Sequence, residues 1–138
     1  MLIPLRNYSN YSICESNIKI EDLVSFAEKE KLPAMALTDY KLLSGALEFS
    51  TKCKNKGIQP IIGLDVDFIS KLKHKSRLTF ICKNDIGFKN LNILSTKINT
   101  ENEFHLSLNN IDNFSEGNIL ILGGLFSYFQ DLNINTNN

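Results

Sequence analysis

The chain has no tryptophan, two histidines in 138 residues, three cysteines, three prolines and no net charge at pH 7. Each shortage closes off a class of function. Fifteen basic residues are cancelled by fifteen acidic ones, and no basic stripe interleaved with aromatics occurs, so the electrostatic footprint of a nucleic-acid binder is missing. Cys14, Cys53 and Cys82 are odd in number, widely spaced and without a CxxC pair. That argues against a disulfide framework and a thiolate zinc site, and for a reducing cytoplasm. The chain opens with no signal-peptide pattern, and no apolar run approaches the ~18 residues of a membrane-spanning helix. The expectation is a soluble, cytoplasmic protein without membrane contact.

What is present is an apolar fraction of 43%, enough for the core of one domain of this length. Residues 2–6 read as a short strand and 7–19 as a polar loop. Ile20, Leu23, Val24 and Ala27 recur at helical spacing behind Glu21 and Asp22, which suit the positive end of a helix dipole, and Pro33 closes the segment. A buried strand over 34–38 follows, then a helix with Leu43, Ala46, Leu47 and Ser50 inward and Gly57 as its stop. Residues 58–68 read as a third strand, 71–76 as a basic turn and 78–82 as a fourth strand. Asn84 or Asp85 caps a helix burying Phe88, Leu91, Leu94, Ser95 and Ile98. Beyond a polar stretch, 119–122 reads as another buried strand, Gly123-Gly124 as a turn, 125–132 as a short helix, and 133–138 as a polar tail. Alternating strands and helices predict an α/β fold with a parallel sheet, open or barrel-like.

Several collinear motifs go further. Tyr8-Ser9-Asn10-Tyr11-Ser12, Glu15, Leu37-Thr38-Asp39-Tyr40, Gly45-Ala46-Leu47-Glu48-Phe49 and the run from Gly57 to Asp65 come in a recognisable order, followed by the block from Leu78 to Leu91 and by Ser115-Glu116-Gly117. Together they resemble the N-terminal polymerase-and-histidinol-phosphatase (PHP) domain of bacterial DNA polymerase III alpha subunits. The resemblance implies a distorted (β/α)7 barrel, here incomplete, with a partial PHP-like domain over 1–132 and the tail over 133–138.

The resemblance also implies where a metal site would be. Metal-binding members carry a His-x-His pair in the first loop, an acidic residue shortly after it, a His after the Thr-Asp of the second strand, an acidic residue ending the third motif, and a His opening the fourth strand. The matching positions hold Arg6, Tyr8, Glu15, Tyr40, Asp65 and Arg77, with Asp39 as the Asp of Thr-Asp. Every histidine is gone. Neutral imidazole offers a lone pair at neutral pH, tyrosine must first lose a proton with a reference pKa of ~10, and guanidinium has none to offer. The expected cofactor is therefore none.

Two readings of Arg6 and Arg77 remain: internal counterions for Glu15, Asp39 and Asp65 at the barrel mouth, or ordinary strand-end residues. Ser9 and Ser12 have no histidine base in the motif and read as makers of loop hydrogen bonds; Cys82 reads as a buried small hydrophobe. His74 and His105 read as surface residues. The resemblance implies a non-catalytic region of the replicative polymerase, whose partners are the remainder of the alpha subunit and the proofreading 3'-5' exonuclease subunit. Nucleotidyl transfer would reside in other domains of such a protein. The alternatives are a metal-dependent phosphoesterase, pyrophosphatase or exonuclease acting through Glu15, Asp39 and Asp65, and a split-gene remnant without independent function.

Overall fold

The computed structural model describes residues 2–69, 75–102 and 104–122. His74, Gly123-Gly124, the helix expected over 125–132 and the tail over 133–138 lie outside the described residues. The chain forms two compact units, Met1–Leu64 and Asp65–Asn138.

In the first unit, α1 (Ile20–Lys29) leads into β1 (Ala34–Leu37), α2 (Ala46–Asn55) and the opening of β2 (Gln59–Ile69). The strands are parallel, with Ala34 opposite Gln59 and Leu37 opposite Ile62. A right-handed α1 turns Ile20, Leu23, Val24 and Ala27 to one side, where they meet Met35, Leu37, Phe49, Cys53 and Ile58 in one core. The inward face of α2 differs from the expected one. Ala46, Phe49 and Cys53 are buried while Leu47 is 80% exposed. Phe49 outweighs Ser50 in apolar area, and turning it inward rotates Leu47 out.

Both helices end in the same hydrogen-bonded device. The Ile58 and Gly57 N–H groups donate to the Cys53 and Lys54 carbonyls, and the Leu32 and Lys31 N–H groups donate to Ala27 and Glu28. Each is a Schellman motif, which needs a left-handed residue just past the helix. Gly57 supplies it at φ 69°, whereas Lys31 adopts φ 53° with a full side chain.

No strand forms over residues 2–6. The segment nonetheless runs beside β1: the Ala36 N–H donates to the Pro4 carbonyl and the Thr38 N–H to that of Asn7. Proline has no N–H with which to complete a ladder. Side chains substitute, since Asn7 Nδ2 donates to the Pro4 and Ala36 carbonyls and the Asn7 N–H donates to Thr38 Oγ1.

The second unit holds the rest of β2, then β3 (Lys75–Cys82), α3 (Asp85–Thr100), β4 (Leu106–Ser107), a 3-10 helix (Ile111–Phe114) and β5 (Asn118–Ile121). Lys75 and Ser76, expected in a basic turn, open β3. β2 and β3 are neighbours. The link over 70–74 is far too short for a parallel crossover, which needs about a dozen residues, so they pair antiparallel. β5 is antiparallel to β3, with Thr79 opposite Ile121 and Cys82 opposite Asn118, and β4 is parallel to β2. The sheet is mixed rather than parallel as expected. β5 is also not the buried strand expected over 119–122: among the described residues it ends the sheet, and its Ile119 is 50% exposed.

α3 is capped by Asn84, whose side chain accepts from the Gly87 N–H at 3.0 Å. It buries Gly87, Leu91 and Leu94, while Phe88, expected inside, is 39% exposed. The reason is a backbone-to-backbone approach. A Cβ on Gly87 would collide with the Gly117 carbonyl, and Gly117 itself sits at φ 74°. Asn118 Nδ2 donates to the Gly87 carbonyl and Asn90 Nδ2 to that of Glu116. Two motif blocks separated by some thirty residues of sequence are therefore one packing unit.

Candidate functional site

In the first unit, Thr38 and Asp39 leave the C-terminal end of β1 and meet the loop carrying Ser9 and Ser12. Alternation along the strand sends Leu37 into the core, and Asp39 follows just past the strand's end. The Asp39 carboxylate is 2% exposed and enclosed by donors. Oδ1 accepts from the Ser9 N–H at 2.6 Å and the Ser12 hydroxyl at 2.6 Å, and Oδ2 accepts from the Ser9 hydroxyl at 2.7 Å. The Ser12 oxygen in turn accepts the Tyr40 N–H at 2.9 Å. Gly45 completes the enclosure, because a Cβ there would lie 3.3 Å from Asp39 Oδ2 and 2.8 Å from the tip of Ile20. Ser9 and Ser12 act as loop hydrogen-bonders, as their lack of a base suggested. Asp39 is not on an open rim.

The neighbouring motif positions are less enclosed. Arg6 is exposed and donates from Nη2 to the Tyr8 hydroxyl at 3.1 Å, with its guanidinium 5.9 Å from the Tyr8 ring centre. The Lys41 ammonium lies 4.7 Å from the centre of the half-buried Tyr40 ring. Both are cation–π distances, in which the ring face receives the cation. Glu15 is exposed.

In the second unit Asp65 is fully buried on β2. Its Oδ1 accepts the Thr79 hydroxyl at 2.7 Å, and its Oδ2 lies 4.0 Å from Arg77 Nη1. The Arg77 Nε lies 3.8 Å from Asp67 Oδ1. Asp65 and Asp67 are two apart on β2, and Arg77 and Thr79 are two apart on β3, so each pair shares one face of its strand. A cavity of about 170 Å³ opens beside them, lined by Asp67, Lys75, Ser76 and Arg77. Sequence reasoning missed Asp67 and Thr79. The period of two, counted from Asp65 and Arg77, would have found both.

These residues do not fit a divalent metal. Both oxygens of Asp39 are taken by serine donors, Asp65 is taken by a threonine and faced by a guanidinium, and the tyrosines meet cations. Within each unit, no group of three or more His, Cys, Asp or Glu side chains among the described residues could hold a metal ion. Burial also disfavours the thiolate form of two cysteines. It pushes Cys53 up from an ordinary 9.0 to about 11, and raises Cys82, with the Asp85 carboxylate adding to the effect. Cys82 is half-buried rather than buried.

The chain has relatives among known proteins. The model of the PHP domain family matches residues 4–136. DNA polymerase III subunit alpha of Chlamydia pneumoniae is 37% identical over a stretch covering 94% of this chain and 12% of that protein. The same subunit of Buchnera aphidicola is 36% identical over 88% of this chain and 11% of its own length, and that of Rickettsia felis 34% identical over 86% and 10%. The chain thus spans about a tenth of the length of these relatives. Among solved structures, a protein from Bifidobacterium adolescentis described as a metal-dependent phosphoesterase superposes with a TM-score of 0.56 at 12% identity, covering 83% of this chain and 44% of its own. An amidohydrolase from Chromobacterium violaceum, solved with sulfate and no metal, gives 0.54 at 19% identity, covering 66% and 32%.

Proposed function

The chain belongs to the PHP domain family, and from that premise we propose that it is a non-catalytic scaffold region of a replicative DNA polymerase III alpha subunit. One observation carries the reading: the buried carboxylate of Asp39, next to Tyr40 at the family's third histidine position, spends both oxygens on Ser9 and Ser12. A carboxylate so bonded gives up three donors before it can take a cation. Breaking charge-assisted hydrogen bonds costs roughly 1.5–3 kcal/mol each. The histidine positions, held by Arg6, Tyr8, Tyr40 and Arg77, supply no compensating ligand.

The partners in this reading are the remainder of the alpha subunit and the proofreading 3'-5' exonuclease subunit, in the cytoplasm, with no direct hold on nucleic acid. The likeness to the polymerase relatives supports the first partner, and the second follows from the resemblance of the motifs. Elemental analysis of protein purified without chelator tests the chemistry: less than a tenth of an equivalent of zinc, manganese or iron is expected, and a stoichiometric metal overturns the reading. Co-purification with the exonuclease subunit tests the docking role. It is expected to survive Asp39→Asn, and loss of all co-purification by the wild-type chain counts against it.

A second reading, a metal-dependent phosphoesterase, is favoured by the structural likeness to the Bifidobacterium protein. It requires manganese-dependent hydrolysis of a simple phosphodiester that Asp65→Ala abolishes. The scaffold reading expects no hydrolysis to abolish.

A further inference from the structure

We propose that Arg77 is the built-in cation of a two-carboxylate site on the β2–β3 strand pair, occupying with its side chain the place a divalent ion would take. The inference rests on the reading of the chain as metal-independent and names what replaces the metal. Asp65 is fully buried and Asp67 half-buried, and both point to the same side of β2. Two carboxylates on one face repel unless a positive charge lies between them. Arg77 meets that need from the neighbouring strand, with Nη1 4.0 Å from Asp65 and Nε 3.8 Å from Asp67.

Guanidinium suits the task better than ammonium. It spreads its charge over a planar fork, presents donors to two acceptors at once and is more weakly hydrated, so it tolerates a side chain that is only 17% exposed. Thr79 adds a neutral donor to Asp65 Oδ1. The four side chains form an oxygen-lined cluster whose hydroxyl and carboxylates match hard-cation preferences, with the cation covalently supplied. Removing Arg77 while keeping both carboxylates would leave a negative, oxygen-rich pocket. Such a pocket should accept manganese ions that the wild-type chain refuses.

Thermal unfolding of the 138-residue chain and three variants, with and without manganese chloride, tests this. Arg77→Met keeps the volume and removes the charge. It is expected to lower Tm by about 10 °C or more, the scale of a buried charge left unpaired. Asp65→Asn combined with Arg77→Met removes that unpaired charge and should recover at least half of the loss. Arg77→Lys should fall between wild type and Arg77→Met. Manganese should raise the Tm of Arg77→Met and leave wild type unmoved. Should Arg77→Met fail to fold, a folded double variant supports the proposal and an unfolded one overturns it. The proposal is also overturned by an Arg77→Met that melts with wild type, by a double variant no better than the single one, or by an Arg77→Met indifferent to manganese. A wild-type chain stabilised by manganese instead overturns the metal-independent reading on which the proposal rests.

Discussion

The Ser12 hydroxyl does two jobs, donating to Asp39 and accepting from the Tyr40 N–H. Ser12→Ala leaves a buried acceptor one donor short and a backbone N–H without this partner. The expected loss is about 1–3 kcal/mol of unfolding free energy in urea titration, whereas Ser12→Thr should keep most of it. Cys53 offers a pH signature. Below about pH 9 the folded and unfolded chains both hold the thiol proton, and its contribution to stability is complete. From pH 9 to about 11 the unfolded chain releases the proton while burial keeps it on the folded one, so that contribution is lost as pH rises. The loss amounts to about 2–3 kcal/mol by linkage, and Cys53→Ala should flatten the alkaline limb of the urea midpoint. The same burial makes exposed Cys14 the first thiol to react with a maleimide, with Cys53 labelled only on unfolding.

Among the elements, the two Schellman ends form a natural experiment. Lys31 and Gly57 occupy equivalent positions at φ 53° and 69°, and only the lysine carries a Cβ into the left-handed region. Lys31→Gly should therefore stabilise by about 0.5–1 kcal/mol, read as a higher urea midpoint with unchanged slope. Gly57→Ala should cost a similar amount despite the open space around that Cα. Gly87→Ala should be far worse. Its Cβ meets the Gly117 backbone rather than a side chain that can swing away, so a loss of more than about 3 kcal/mol or failure to fold is expected. Boundaries of α1 and β1 were legible because Ile20, Leu23, Val24 and Ala27 keep one clean period and Pro33 ends it. The buried face of α2 was not, because Leu47 and Phe49 compete for the core and only packing decides.

At the scale of the whole molecule, the chain is an α/β member of the PHP family that spans about a tenth of its polymerase relatives' length. Its described helices include none long and apolar enough to cross a membrane. Surface ion pairs such as Lys56–Glu28 at 2.9 Å and Lys97–Glu101 at 3.0 Å join exposed side chains and should contribute below about 1 kcal/mol each. Melting of the wild-type chain is accordingly expected to respond weakly to salt and not at all to a chelator. A fall in Tm on adding EDTA would contradict the metal-independent reading.

The sequence is enough for the family, for the residue types at positions 6, 8, 40 and 77 and for the period of α1, since all of these are written in residue type and spacing. It also determined that imidazole chemistry is missing there, because no fold can give arginine a lone pair. What became of the carboxylates depends on long-range packing. Asp39 lies next to Ser9 and Ser12 through a contact about thirty residues long, and Asp65 meets Thr79 and Arg77 because β2 and β3 are neighbours. Hydrogen bonds and ion pairs act over about 3–4 Å of space whatever the distance along the chain. The loop packed against the end of β1 creates the first separation and the pairing of β2 with β3 the second.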